Sequence, residues 1–557
     1  MGRISRAFRS FRLAPRTFLS RRRIALSAED QADIDGLAAF YGAPSNPTWS
    51  SSRQRLLILS YLPLPYVLKM EVLLARAMQR HGWAVSVLAS ASSDTLVSAY
   101  HERLLGCEVL RLEDFLRFDR PADLRDRVRE GTALALRDPV AFKALRYRGM
   151  PLGLHALATL SSGRPDGSTA IGERDALLLG RLLRQSALLY EAADALYAEQ
   201  RPTLALSMEK GFVSTCETFY TALERGVDFV QWVGCHEPES IMFKRYRAAT
   251  SREHPFSISE ANWQRLRRAP WQERYRKAVL QEFERGYKSG AWFRYKGLLS
   301  GPQTPEAADL RQRLSLEPGK QTAIIYSHIL NDANLFYGTD LFTGGYEEWL
   351  VETVRAAAAN PAVNWVLKVH PANRYRNANL GYSGQYGELL ALQRAFGKVP
   401  EFLRVVTPEL DVSPFSFFEI TDWGITVRGT VGLELPCFAV PVLTAGSGRY
   451  SGKGFTVDSA SAEEYLTKVR GIDRIARLDD EQVRLALLYA YHVFHSRPAR
   501  YSEVMSDVYE KPQGNPRYRD ARLRAPSLET AITHPQVRGI VDFLQSDEDD
   551  FMDLPNA

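Results

Sequence analysis

Residues 422–458 read Asp422-Trp-Gly-Ile-Thr-Val-Arg-Gly-Thr-Val-Gly-Leu-Glu-Leu-Pro-Cys-Phe-Ala-Val-Pro-Val-Leu-Thr-Ala-Gly-Ser-Gly-Arg-Tyr-Ser-Gly-Lys-Gly-Phe-Thr-Val-Asp458. Trp423 to Val427 is a short apolar run of the kind buried in a parallel sheet. Arg428-Gly429-Thr430 is the turn that follows, and Thr430 is placed to cap a helix running to about Phe438. Glu434 falls one helical turn beyond Thr430, where its carboxylate would accept from ribose hydroxyls. A second strand, Val440 to Thr444, enters a loop with glycines at 446, 448, 452 and 454 that carries Arg449 and Lys453. Two basic glycine-bearing loops after successive strands describe an anion site at the carboxyl edge of an α/β sheet. Ordinary βα turns with solvated cations would look the same one at a time; the pair, flanking one helix start, points to a nucleotide or sugar phosphate.

Working outward, the flanking chain alternates strand and helix. Thr322–Ser327, Trp365–Val369 and Leu403–Val406 read as strands, and 346–359 and 385–396 as helices. Lys368-Val-His370-Pro closes one strand, so Lys368 and His370 share a face and His370 reaches the same edge as Arg428. Ser327-His328-Ile-Leu-Asn331-Asp332-Ala-Asn334 forms a polar loop after the first strand, with His328 or Asp332 as sugar contact or base, or simply as turn-forming groups. Upstream, strand 55–61, helix 69–81 and strand 84–89 open a separate Rossmann-like half. There Pro63 and Pro65 occupy the loop where a dinucleotide fingerprint would stand. Strands 203–207 and 228–233 end in Glu209-Lys-Gly and Cys235-His236-Glu237, making Glu209, His236 and Glu237 acid/base or acceptor-side candidates, or loop-end hydrogen-bonding groups. Residues 243–296 read as helical.

Length and composition set the frame. At 557 residues the chain exceeds one core, and 45% hydrophobic content excludes general disorder. A net charge of +6 favours anionic partners, and no nucleic-acid-binding motif accompanies it. Cys107, Cys216, Cys235 and Cys437 lack metal-ligand spacing and read as reduced, buried residues of a cytoplasmic protein. No apolar run is long enough to span a bilayer. The first 25 residues hold eight arginines and no acid. They lack the apolar core of a secretory signal. Ile4, Phe8 and Phe11 oppose Arg3, Arg6 and Arg9 on a helical wheel, which suits either a disordered basic tail or a segment on the anionic inner face of the cytoplasmic membrane. The expected divisions are a basic segment and linker, 1–52, an acceptor domain, 53–300, a donor domain, 301–485, and a helical and polar tail, 486–557, packing back on the first domain.

Lys-Val-His-Pro-Ala-Asn (368–373), Thr-Val-Arg-Gly-Thr-Val-Gly-Leu-Glu (426–434) and Ala-Gly-Ser-Gly-Arg-Tyr-Ser-Gly-Lys-Gly-Phe-Thr (445–456) together resemble the bacterial capsular polysaccharide biosynthesis proteins. Asn331-Asp-Ala-Asn-Leu-Phe-Tyr-Gly and Tyr346-Glu-Glu-Trp-Leu350 are similar to upstream motifs of that family, and the likeness spans about residues 320–500. It implies a GT-B-like fold: two Rossmann-like domains facing an inter-domain cleft, with added helices and no required metal. Its characterised capsule members transfer Kdo from CMP-Kdo to a lipid-linked acceptor. The likeness further implies that His370, Arg428, Gly429 and Thr430 hold the donor phosphate and Glu434 the ribose, with Lys368, Arg449 and Lys453 beside them. Expected partners are a nucleotide sugar, a glycan or lipid-linked acceptor and other capsule assembly proteins, with no separate cofactor. Two rivals stand against a transferase. A nucleotide-sugar epimerase or hydrolase would yield epimer or free sugar from donor alone. A non-catalytic assembly or export factor would bind glycan without nucleotide.

Overall fold

In the computed structural model, Trp423–Thr426 is a strand, and everything the sequence places around it follows in a parallel sheet. Residues 26–90, 94–116, 123–164, 166–289, 303–331, 335–373, 385–410, 412–509 and 519–554 are described. Fourteen strands are found among them. They are β1 Arg55–Ser60, β2 Ala84–Ala89, β3 Val109–Arg111, β4 Leu204–Ser207, β5 Asp228–Gly234, β6 Ser240–Tyr246 and β7 Thr322–Tyr326. The rest are β8 Asn364–Lys368, β9 Leu403–Val406, β10 Trp423–Thr426, β11 Val442–Thr444, β12 Ala499–Arg500, β13 Met505–Tyr509 and β14 Arg519–Leu523.

The chain forms two units: described residues within Met1–Thr159, Ile171–Ser251 and Pro498–Ala557, and those within Leu160–Ala170 and Arg252–Arg497. The first holds a seven-stranded sheet in the order β12-β6-β5-β4-β1-β2-β3, parallel except where β6 meets β5 and β12. The second holds β11-β10-β7-β8-β9, parallel throughout. Numbered within each unit, the five parallel strands run 3-2-1-4-5, the Rossmann order. Each sheet therefore reverses direction once, between β1 and β4 in the first unit and between β7 and β10 in the second.

The division corrects the sequence reading in two places. The boundary lies at Ser251/Arg252 rather than 300/301, so helices Glu260–Arg268 and Glu273–Ser289 belong with the second sheet. The tail from Pro498 is built into the first unit, while residues 486–497 stay with the second. The stretch from Phe243, expected to be helical, begins inside β6, whose seven residues Ser-Ile-Met-Phe-Lys-Arg-Tyr are all buried. Its charged residues are paired inside the fold: Lys244 with Asp550 at 3.0 Å, and Arg245 with Asp228 and four backbone carbonyls of residues 543–548.

The helix expected from Thr430 to Phe438 is one α-turn, Val431–Glu434, continued as a 3₁₀ turn over Leu435–Phe438. Pro436 lacks the N–H that α-helix continuation needs, and Ala439 ends the turn in the left-handed region at φ 61°. Thr430 is already helical (φ −58°, ψ −28°) and makes no side-chain cap. A single turn has little macrodipole to offer an anion, so that part of the expected phosphate site is absent.

Candidate functional site at the second sheet

The crevice beyond the carboxyl ends of strands, where an open sheet reverses direction, is where such folds bind ligands. In the second unit that point lies between β7 and β10, and His328, just past β7, bonds there to the end of β10. Its Nε2 accepts from the Val427 amide (3.1 Å) and, more weakly, the Arg428 amide (3.4 Å), and faces Thr426 Oγ1 at 3.0 Å. A nitrogen that accepts from two amides carries no proton, so the proton of this imidazole sits on Nδ1. The ring stacks on Tyr346, centroids 4.4 Å apart and 20° from parallel. Burial drives the His328 pKa well down, and the neighbouring Arg428, His370 and Arg449 push the same way. His328 is thus a neutral staple between two strand ends rather than a base.

His370 sits on a shelf built from β7, β8 and helix Gly387–Phe396. Its amide donates to Ser327 Oγ at 2.9 Å, and Ser327 Oγ donates to Glu388. Glu388, fully buried, also accepts from Asn373 Nδ2 at 2.7 Å, and the same Asn373 group reaches the His328 carbonyl at 3.1 Å. One carboxyl thereby ties together the polypeptide after both strands. Burial, first among the causes, raises the Glu388 pKa against these hydrogen bonds. His370 Nδ1 accepts from the Ala372 amide at 3.2 Å, which leaves Nε2 as the protonated, donating nitrogen of the neutral ring.

The other sequence candidates of this unit are engaged internally. Arg428 is 4% exposed; its guanidinium pairs with Asp340, donates to the Tyr337 carbonyl and lies over Tyr346. It fastens the 337–340 loop instead of waiting for phosphate. Glu434 is 1% exposed and accepts from Tyr287 Oη, so a ribose does not reach it. Lys368 is buried against Phe417, with burial pulling its pKa to about 8 and Glu434 opposing that fall. Lys453 pairs with Glu260 at 2.5 Å. Gly429 and Thr430 are partly exposed at the turn, and Tyr450 Oη donates to the Gly429 carbonyl at 2.6 Å. The 445–449 loop lies against 338–341 through Ser447 N to Thr339 O at 2.8 Å and Leu341 N to Ala445 O at 3.3 Å. Asp332 lies outside the described residues.

Three candidates belong to the first unit. Glu209 follows β4 at that unit's own reversal point, its amide donating to Ser207 Oγ at 3.2 Å. Buried His236 holds Cys235 Sγ at Nδ1 (3.0 Å), and Glu237 pairs with Arg500 at 3.0 Å. Glu388, Asp340, Tyr450 and His254 escaped the sequence reading. Each acts on a residue far away in the chain, and no local spacing announces it.

No family model and no curated protein matches the chain. Among solved structures it is similar to the KpsC β-Kdo 2,7-transferase of Thermosulfurimonas dismutans, with 15% identity, 62% of this chain and 89% of that one covered, and a TM-score of 0.32. The β-Kdo 2,4-transferase of the same KpsC gives 13%, 53% and 81%, and 0.30. The UDP-GlcNAc 2-epimerase of Neisseria meningitidis bound to UDP-GlcNAc gives 11%, 79% and 96%, and 0.24.

Proposed function

We propose that this chain is a glycosyltransferase that takes its sugar from a nucleotide donor and holds the donor phosphate at the reversal point of the second sheet. The observation that carries the reading is the position of His370, its amide held by Ser327 Oγ at 2.9 Å, at the carboxyl end of β8 beside the edge where His328 joins β7 to β10, with the Arg449 guanidinium near enough to lower the His328 pKa. A positive field at such an edge suits a leaving group whose negative charge grows in the transition state. His370 Nε2–H is the donor we assign to a leaving phosphate oxygen, with the exposed turn at Gly429 and Thr430 closing on the same group. Kdo as the sugar, CMP as its carrier, a glycan or lipid-linked acceptor, work beside other capsule assembly proteins and a seat at the cytoplasmic membrane face are supported by the motif resemblance and the basic amino-terminal segment.

A thermal-shift panel of CMP, UDP and GDP, followed by turnover of the matching sugar nucleotide with and without acceptor, tests the proposal. His370→Ala should lower turnover about 100-fold, the scale of a lost proton-handling group, while the fold is kept. Undiminished transfer by that variant defeats the assignment, and epimer or free sugar from donor alone turns the reading to an epimerase or hydrolase.

A further inference from the structure

Between Arg265 and Lys277 the chain carries six cations, Arg265, Arg267, Arg268, Arg274, Arg276 and Lys277, against one carboxylate, Glu273. All six basic residues are exposed. They stand at the end of helix Glu260–Arg268 and the start of helix Glu273–Ser289, on either side of an exposed Ala269-Pro270 turn. The inner faces of both helices are fixed on helix Asp480–Tyr491: Trp263 packs 5.2 Å from Tyr489, and Tyr275 4.4 Å from Tyr491. The corner is held from behind, and its outer face is charged.

Among the described residues, none of Arg267, Arg268, Arg274, Arg276 and Lys277 forms an ion pair. Two carboxylates in range of Arg267 are taken by other cations, Glu260 by Lys453 at 2.5 Å and Glu481 by Arg484 at 2.6 Å. Helix electrostatics account for only half of the cluster. The cations at 265–268 complement the negative carboxyl end of their helix. Arg274, Arg276 and Lys277 crowd the positive amino end of theirs, where a cation costs stability. Arg274 and Lys277, three residues apart, also repel each other. That placement works against the helix and suits an anion outside the chain.

The cations are spread over two helix ends and a turn instead of converging on one point, which fits an extended charged surface better than a small ligand. Between them stands the half-buried Trp271, its ring edge-on to Tyr275 at 5.6 Å and its N–H directed at Glu273 Oε2 at 3.4 Å. A tryptophan with an apolar body and a polar tip, flanked by arginines, is a composition that settles at the headgroup level of a bilayer. We propose that residues 265–277 dock the protein on an anionic lipid surface, the cations on acidic headgroups and Trp271 among them. That the same bilayer carries the acceptor rests on the proposed function; the docking surface does not.

Cosedimentation of the full chain with vesicles of phosphatidylcholine, pure or mixed with phosphatidylglycerol, tests this. Wild type is expected to bind the mixed vesicles and not the pure ones, and to bind less as salt rises. Each cation near such a surface contributes about fivefold, so Arg268→Gln/Arg274→Gln/Lys277→Gln should bind about 100-fold more weakly. Trp271→Ala should weaken binding severalfold. The comparison is repeated with Arg3, Arg6 and Arg9 changed to Gln, so that the basic amino-terminal segment does not mask the effect. Should the triple variant fail a circular-dichroism check of folding, Arg268→Gln and Lys277→Gln take its place singly, each expected to lose about fivefold. Affinities within twofold of the parent chain in both backgrounds overturn the surface, as does a wild type that ignores mixed vesicles. Tighter binding to polygalacturonate than to mixed vesicles at equal anionic charge overturns the bilayer in favour of an acidic glycan. Vesicle binding through these residues with no turnover of any sugar nucleotide keeps the surface and sinks the proposed function; turnover without vesicle binding does the reverse.

Discussion

Glu388 shows how much of the site hangs on one buried atom. Its Oε1 accepts from Ser327 and Asn373, the groups that hold the His370 amide and the His328 carbonyl, while Oε2 has no partner among the described residues. A carboxyl whose pKa burial has raised, and which needs only one accepting oxygen, is closely imitated by glutamine. Glu388→Gln should therefore keep stability and turnover near wild type. Glu388→Ala strands the Ser327 hydroxyl and the Asn373 amide, at about 1–3 kcal/mol for each buried group left unmade. It should also lower kcat with KM little changed, because the shelf under His370 loosens while the remaining donor contacts stay. Steady-state kinetics of the two variants decide the matter: equal losses in both would mean that the charge, and not the positioning, is what Glu388 supplies.

At the scale of elements, the one-turn helix after β10 is held by a contact that sequence alone does not reveal. A Cβ added at Gly432 would stand 2.0 Å from Tyr450 Oη, the hydroxyl that donates to the Gly429 carbonyl. Gly432→Ala should cost about 1–3 kcal/mol by overpacking and detach the glycine loop from the turn. A denaturant melt measures the first effect and loss of nucleotide-induced stabilisation the second; an alanine variant with both intact would show that the turn tolerates Tyr450 elsewhere. Strands such as 84–89 and 322–326 were legible because mostly apolar runs leave a buried parallel strand few alternatives. The edge carrying His370 and Arg428 was legible for the same reason, since strand ends in a parallel sheet share an edge. What stayed hidden is pairing at long range. Arg428 and Lys453 read as available cations because Asp340 and Glu260 lie 88 and 193 residues away. The 243–246 strand read as a helix because its partners come from residues 228 and 543–550.

At the scale of the molecule, the two units offer separate handles on stability. In the second, His492 is 5% exposed and burial, with His495 and Arg265 adding to it, lowers its pKa to about 4. The unfolded chain then binds a proton that the folded one refuses, so the stability His492 permits is whole above about pH 6.5 and is lost as pH falls toward 4. His492→Gln should flatten that acid limb by about 1.4 kcal/mol per pH unit; Glu388, whose raised pKa works in the opposite sense, is common to both proteins and cancels in the difference. An unchanged limb would mean that His492 is protonated in the fold. In the first unit the acidic run near the end of the chain has the form of a solvated tail, yet Asp550 is 2% exposed and is the counter-charge of Lys244, itself 1% exposed. Removing one member of a buried pair leaves the other without compensation, about 3–5 kcal/mol. Asp550→Ala should therefore lower hydrogen-exchange protection across β5 and β6 by that amount. The Lys244→Met/Asp550→Leu double variant, which buries no charge, should recover most of it. If the single variant leaves protection where it was, Lys244 has reached water by another route and the tail closes the sheet through its apolar side chains alone, Phe543 and Phe551 against Phe243.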